Sequence, residues 1–219
     1  MAITYPYALS VLADRLDIES VTWDIQRNDE LSGTGDGRVW QAELAPPLWT
    51  GDVKLNIGDS NDLKQIAARV RKLHGAQELF YLYDPLSKYP QADPDGSILG
   101  ASAVKISSIG TGGRTISLKG LPAGYVLTLA DKLQIAYATS PVRNAFLEVS
   151  DDIVTASGAA GITPAFEVFP NAPTGVAVND VVTLAKPACK VFISPGTSNP
   201  GSGAGLLTSG AGFKVIEKR

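Results

Sequence analysis

The chain has 219 residues, of which 44% are hydrophobic and 19% charged, with a formal net charge of −3 and a pI of about 5.2. That is enough chain and apolar content for one β-rich domain or two small ones, and it argues against disorder. The acidic balance, with no basic stripe beyond one helix face, argues against nucleic-acid binding; a single cysteine and a single histidine exclude an intrachain disulfide and a Cys/His zinc site.

Met1–Leu16 opens on Tyr5-Pro6-Tyr7, an extended aromatic segment. It either packs on the edge of its own domain or reaches a neighbouring subunit. It lacks the charged start and apolar centre of a signal peptide, and no stretch approaches the about 20 apolar residues that cross a bilayer. The expectation is a soluble protein made in a reducing cytoplasm.

Val21–Arg27 alternates, with Val21, Trp23 and Ile25 on one face, as a half-buried strand does. Asn28–Gly37 (NDELSGTGDG) then reads as a polar connection, long enough to be mobile or to touch a partner. Gly33, Gly35 and Gly37 do not make a phosphate loop, because a strand and not a helix follows them. Asp29, Glu30 and Asp36 lack the spacing of a calcium loop. Trp40, Ala42 and Leu44 alternate in the returning strand Arg38–Leu44, so this is a hairpin. Ala45-Pro46-Pro47-Leu48-Trp49 reads as rigid and extended, a proline corner between strands, with a further strand at Gly51–Ile57.

Asp59–Gly75 carries the one clear helical period. Leu63, Ile66, Ala67, Val70 and Leu73 form an apolar stripe, and Lys64, Arg69, Arg71 and Lys72 lie off it. Asp59 or Ser60 can cap its start, and Gly75 supplies a left-handed stop. Glu78–Tyr83 follows as a buried strand ended by Asp84-Pro85. Leu86–Gly100 is rich in Pro, Gly and Asp and marks the best internal boundary.

Beyond it the helical period disappears. Short strands are predicted at Val104–Ile109, Arg114–Leu118, Tyr125–Leu129, Lys132–Tyr137, Ala145–Val149, Phe166–Phe169, Asp180–Leu184, Lys190–Ser194 and Phe213–Ile216. Asp151–Gly161 reads as an edge strand with a small-residue turn, and Ser194–Gly205 as a flexible loop. The fold class is therefore mainly β with one packed helix: α+β in the N-terminal part, a sandwich or barrel in the C-terminal part. Residues 1–95, with helix 59–75, form the first domain, and strand 206–219 is a candidate to rejoin it; residues 96–205 form the second.

No catalytic constellation emerges. His74 sits at a helix end, where capping or surface exposure suffices, and Cys189 lies among Ala188, Val191 and Phe192 as a buried thiol would. The acid pairs Asp151-Asp152 and Asp93/Asp95 fall in turn-like sequence, where aspartate bonds its own backbone. Trp23, Trp40 and Trp49 could stack on sugars, but Trp23 and Trp40 lie on alternating faces that suit a core. The reading is of a protein that is not an enzyme, with no catalytic residue, metal or cofactor assigned.

Several blocks resemble a family. Val21–Arg27, Trp40-Gln41-Ala42-Glu43-Leu44, Ala45-Pro46-Pro47, Leu73-His74-Gly75, Leu79-Phe80 and Tyr83-Asp84-Pro85 carry it in the first half. Leu121–Leu127, Lys132–Tyr137, Phe166-Glu167-Val168 with Pro170, and Val181–Cys189 leading to Ser194-Pro195-Gly196 carry it in the second. Together they are similar to the distal tail and tail-tip (baseplate) proteins of tailed bacteriophages. One departure is Ala130-Asp131, where that family's pattern has Gly-Asp before Lys132. The resemblance implies a structural virion protein forming a homo-oligomeric ring, sixfold, at the distal end of the tail. Such a ring joins the tail tube to the tip or hub proteins, without a membrane partner, and DNA passes through its lumen without specific binding. The protein would be made in the host bacterial cytoplasm and end in the virion. Met1–Leu9, Asn28–Gly37 and Leu86–Gly100 are the segments placed to cross subunit boundaries. A competing expectation is a carbohydrate-binding β module used in host-surface adsorption.

Overall fold

Apolar–polar alternation broken by Gly, Pro, Asn and Asp yields a chain that is mostly β-strand, paired antiparallel. The computed structural model describes residues 4–33, 35–152 and 155–219. Two compact units result: Met1–Phe80 with Val191–Lys218, and Tyr81–Lys190 with Arg219. The chain leaves the first unit inside one strand and returns inside another. Leu86–Gly100 lies within the second unit.

The first unit begins with the hairpin of β1 (Ile18–Gly33) and β2 (Val39–Leu55), then β3 (Gly58–Asp59), α1 (Ser60–Arg71) and β4 (Phe80–Tyr83). Asp59 caps α1, its carboxylate accepting from the Asn61 amide at 2.7 Å. Leu63, Ile66, Ala67, Val70 and Leu73 are all buried, while Lys64, Arg71 and Lys72 are exposed, as the stripe required. The stop takes two left-handed residues, His74 (φ 52°) and Gly75 (φ 70°), so the helix proper ends at Arg71. Tyr5 and Tyr7 stack 5.0 Å apart on their own unit. The Tyr7 amide donates to Leu79 O and the Tyr5 hydroxyl to Lys72 O, each at 2.9 Å. These residues are therefore not a free arm; Met1–Ile3 of that expected arm lie outside the described residues.

The second unit holds β5 (Lys105–Ile109), β6 (Thr115–Lys119), β7 (Val126–Leu127), β8 (Lys132–Tyr137), β9 (Arg143–Val149), β10 (Thr155–Ala156), β11 (Phe166–Phe169) and β12 (Val181–Thr183). Six of these close into a barrel in the order β11-β6-β5-β12-β8-β9. Closure removes sheet edges, which a small sandwich would leave open. Ile106, Ile116, Leu118, Leu133, Ile135 and Phe166 fill its core. Outside it, β10 pairs with β7; Ile153 and Val154, in the expected Asp151–Gly161 edge segment, lie outside the described residues.

β13 (Ala188–Ile193), β14 (Ser202–Ala204), β15 (Leu207–Ser209) and β16 (Gly212–Glu217) complete the chain. The five-stranded sheet runs β1-β2-β16-β13-β4, and β14-β15-β3 forms a smaller one. Ser194–Gly205, expected as a flexible loop, thus contributes a strand. Asn199 organises it: its amide donates to Gly210 O at 2.9 Å, and its carbonyl accepts from Gly201 N at 3.0 Å. Composition showed the glycines but not this partner.

Leu86–Gly100 is fastened to its own unit by buried aspartates. Asp84 accepts from Leu86 N at 2.9 Å and from the Lys132 ammonium at 2.6 Å. Asp93 takes Ile98 N, Leu99 N and the Tyr125 hydroxyl. Asp131 accepts from Gln91 N and Thr128 N, each at 2.8 Å. Burial raises the Asp131 pKa above the usual carboxylate value. Burial, and then the Asp93 charge, push the Tyr125 phenol up.

Ala130 resolves the departure noted in the sequence. It adopts φ 69°, a left-handed conformation that glycine takes freely and alanine at a cost of about 1–2 kcal/mol. The turn forms nonetheless, with Asp131 N donating to Thr128 O at 3.1 Å. Ala130→Gly relieves that strain and adds unfolded-chain freedom worth about 0.4–1 kcal/mol. Urea unfolding is therefore expected to show a net gain of about 0.5–1 kcal/mol; a loss of stability would refute the strained turn.

Candidate functional site

The β1–β2 hairpin changes character along its length. At its base it belongs to a full sheet. Trp23 lies across from Gly51, and Trp49 meets Trp23 edge-on at 6.5 Å. A Cβ on Gly51 would come within 2.9 Å of Val215 and 3.6 Å of Trp23, so glycine is what lets the indole lie against the strand. β16 covers β2 from Lys54 to Thr50, and the Glu217 carboxylate takes the Trp49 amide at 3.1 Å. There β16 ends. Beyond Trp49 the hairpin continues as two strands alone.

Ala45-Pro46-Pro47 stands at that transition and does not turn a corner, as the sequence suggested. β2 runs straight through it as one strand. Register slips between Gln26 and Asn28 and again between Asn28 and Asp29, and both prolines fall within that bulged stretch. Proline has no N–H to give a ladder, so a bulge is where a strand accepts it. The two prolines also keep another strand from extending the sheet along β2.

The connection expected over Asn28–Gly37 is shorter than predicted. Asn28–Gly33 pairs with Val39–Ala45, so the ribbon is longer and its turn tighter. Polar side chains hid this strand because neither of its faces is buried. Among the described residues of 27–47, none is buried. Leu31 is 68% exposed, Trp40 67%, Leu44 67% and Val39 66%. Trp40 is thus not a core residue, contrary to its alternating pattern, whereas Trp49 is.

Cross-strand partners share a face. Glu30 pairs with Ala42 and Ser32 with Trp40, while Leu31 pairs with Gln41 and Gly33 with Val39. Apolar groups therefore stand on both faces of the ribbon. Its charges pair locally, Arg27 with Asp29 at 2.9 Å and Arg38 with Asp36 at 3.4 Å, all at the surface, where such bridges contribute little. A lone two-stranded ribbon is marginal in water, and one exposing four large apolar side chains gains by being covered.

The residues weighed for chemistry do not converge. Asp93 is buried in loop hydrogen bonds, and the pKa of exposed Asp95 is lowered by hydrogen bonds from the Ser97 side chain and then the Ser97 amide, the latter at 3.1 Å. Asp151 is half-buried and Asp152 exposed. His74 is exposed at the helix end, and Cys189 is fully buried. Gly33, Gly35 and Gly37 lie at the ribbon's tip, followed by strand. Among the described residues, no three His, Cys, Asp or Glu side chains gather as a metal site, and no helix is long and apolar enough to cross a membrane.

No protein-family model matches the sequence, and no curated protein is significantly similar to it. The ribbon is what distinguishes this chain. Sequence reasoning passed over Leu31 and Trp40 as the exposed pair. The signal was present in a strand whose facing segment, Asn28–Gly33, offers no apolar face to bury a tryptophan against.

Proposed function

We propose that this chain is a structural, non-enzymatic subunit that assembles with copies of itself into a ring. The site proposed for that ring is the distal end of a bacteriophage tail, between the tail tube and the tip or hub proteins. The observation that carries the assembly reading is the outer ribbon, with apolar residues exposed on both faces and no covering element among the described residues. Heterologous contacts made by such an arm generate a ring when the rotation closes. The phage setting, the sixfold symmetry and the tube and hub partners follow from the resemblance in Trp40–Pro47, Leu73–Pro85 and the later blocks. In that setting the virion is the final location, after synthesis in the host cytoplasm. DNA passes through a lumen that an acidic subunit does not make sticky.

The carbohydrate-binding alternative keeps one supporting observation, the exposed Trp40. Sugar sites also need convergent polar groups in a concave setting, and the ribbon places Trp40 beside Ala42 and Ser32 on a two-stranded surface.

Negative-stain electron microscopy of the purified protein, with mass measurement by light scattering, tests the reading. Rings of defined subunit number are expected. A strictly monomeric protein at high concentration that binds no tail-tube or hub protein would overturn it, and ligand capture on a glycan array would favour the alternative.

A further inference from the structure

We propose that the ribbon of one copy seats Trp40 in an apolar groove at the foot of α1 in a second copy. This deepens the assembly reading and rests on it. The groove has a volume of about 290 Å³ and is lined by Leu55, Leu63, Ile66, Val70 and Phe213, with Arg71 at its rim. It is of the scale of one large side chain, below the usual range of about 300–1,000 Å³ for small-molecule sites.

Three observations choose the occupant. First, groove and ribbon lie at opposite ends of the same strand. Leu55 lines the groove and Trp40 stands fifteen residues away along β2, roughly 50 Å at the rise of an extended strand. A chain cannot fill its own groove while β2 is extended, so the tryptophan that enters comes from another copy. Second, the charges are complementary. Residues 27–47 carry Asp29, Glu30, Asp36 and Glu43 against Arg27 and Arg38, a net of −2, whereas residues 59–72 carry Lys64, Arg69, Arg71 and Lys72 against Asp59 and Asp62, a net of +2. Glu30 shares the face of Trp40 and is placed to meet Arg71 at the rim. Third, a bulky aromatic entering an apolar pocket within a charged rim is the arrangement that concentrates binding energy. Donor and acceptor are different patches of one chain. The contact therefore propagates head to tail, as a closed ring requires.

The test uses two full-length variants. Trp40→Ala removes the donor and keeps the groove; Ser198→Trp, at an exposed position lining the groove, fills the acceptor and keeps the ribbon. Each alone is expected to lose assembly, Trp40→Ala by about thirtyfold or more in association, the weakening of a hot-spot residue. Mixed in equal amounts, they are expected to form a dimer and nothing larger, because one working contact remains. If Ser198→Trp disturbs folding, the fluorescence difference between wild type and Trp40→Phe gives an independent answer: the Trp40 contribution is expected to shift to the blue as wild type assembles. Both variants assembling as wild type does, or a mixture that stays monomeric, or a Trp40 signal that stays red in the assembled state, would each overturn this contact while leaving wild-type rings intact. Wild type that never assembles would instead remove the reading on which the contact depends.

Discussion

Replacing Lys132 with alanine is expected to lower the stability of the second unit by about 3–5 kcal/mol, the usual cost of leaving one partner of a buried ion pair alone. Lys132 and Asp84 retain 8% and 6% of their side-chain exposure, and they meet at 2.6 Å. The pair as a whole need not stabilise the fold, because desolvating two charges offsets their attraction. Removing the ammonium alone leaves the carboxylate buried with, among the described residues, the Leu86 amide to answer it. Against a typical total of about 5–15 kcal/mol, the loss is large enough to unfold the unit at moderate temperature. Urea titration measures it. Replacing both partners, Lys132→Met with Asp84→Asn, is expected to recover much of the loss. A decrease below about 1 kcal/mol in the single variant would show that the pair is solvated after all.

The second large effect concerns assembly and leaves folding nearly untouched. Excising Arg27–Pro47 and joining Gln26 to Leu48 through Asn-Gly uses a pair already in register, and a two-residue turn suited to a hairpin. No described residue in the excised part is buried, so the melting temperature is expected to move by only a few degrees. Oligomers, in contrast, are expected to disappear from light scattering and micrographs. Retention of wild-type rings by the shortened chain would place the subunit contact elsewhere.

How much of this was readable beforehand depended on whether the neighbours were local. The helix was legible because its stripe, its cap at Asp59 and its stop at Gly75 all lie within one short segment. Most strands were legible from alternation, including β8 and β11, whose bounds are those expected. The ribbon was not, because alternation reports burial and its outer strands bury nothing. Asn28–Gly33 is a strand only through backbone pairing with Val39–Ala45. For the same reason Pro46 and Pro47 suggested a corner, since the bulge that accommodates them depends on register in the opposite strand. Leu86–Gly100 looked like a linker by composition; what fixes it are carboxylates and amides up to 40 positions apart, as in Asp131 with the Gln91 amide. The candidate site was therefore visible only as a hairpin, and the exposure of Trp40 was hidden by a pattern that elsewhere signals a core.

The order in which strands lie side by side differs from the order in which they are made. β16, nearly the last segment translated, sits between β2 and β13. The six barrel strands, β5, β6, β8, β9, β11 and β12, all emerge before it, and a self-contained domain can fold while synthesis continues. The opening hairpin, by contrast, must wait for residues 212–217 with the flank of β2 unpaired. During that interval the edge is open to another nascent copy, which the final strand must then displace, so changes that weaken Phe213 or Val215 are more dangerous to yield in the cell than their cost to the finished molecule suggests.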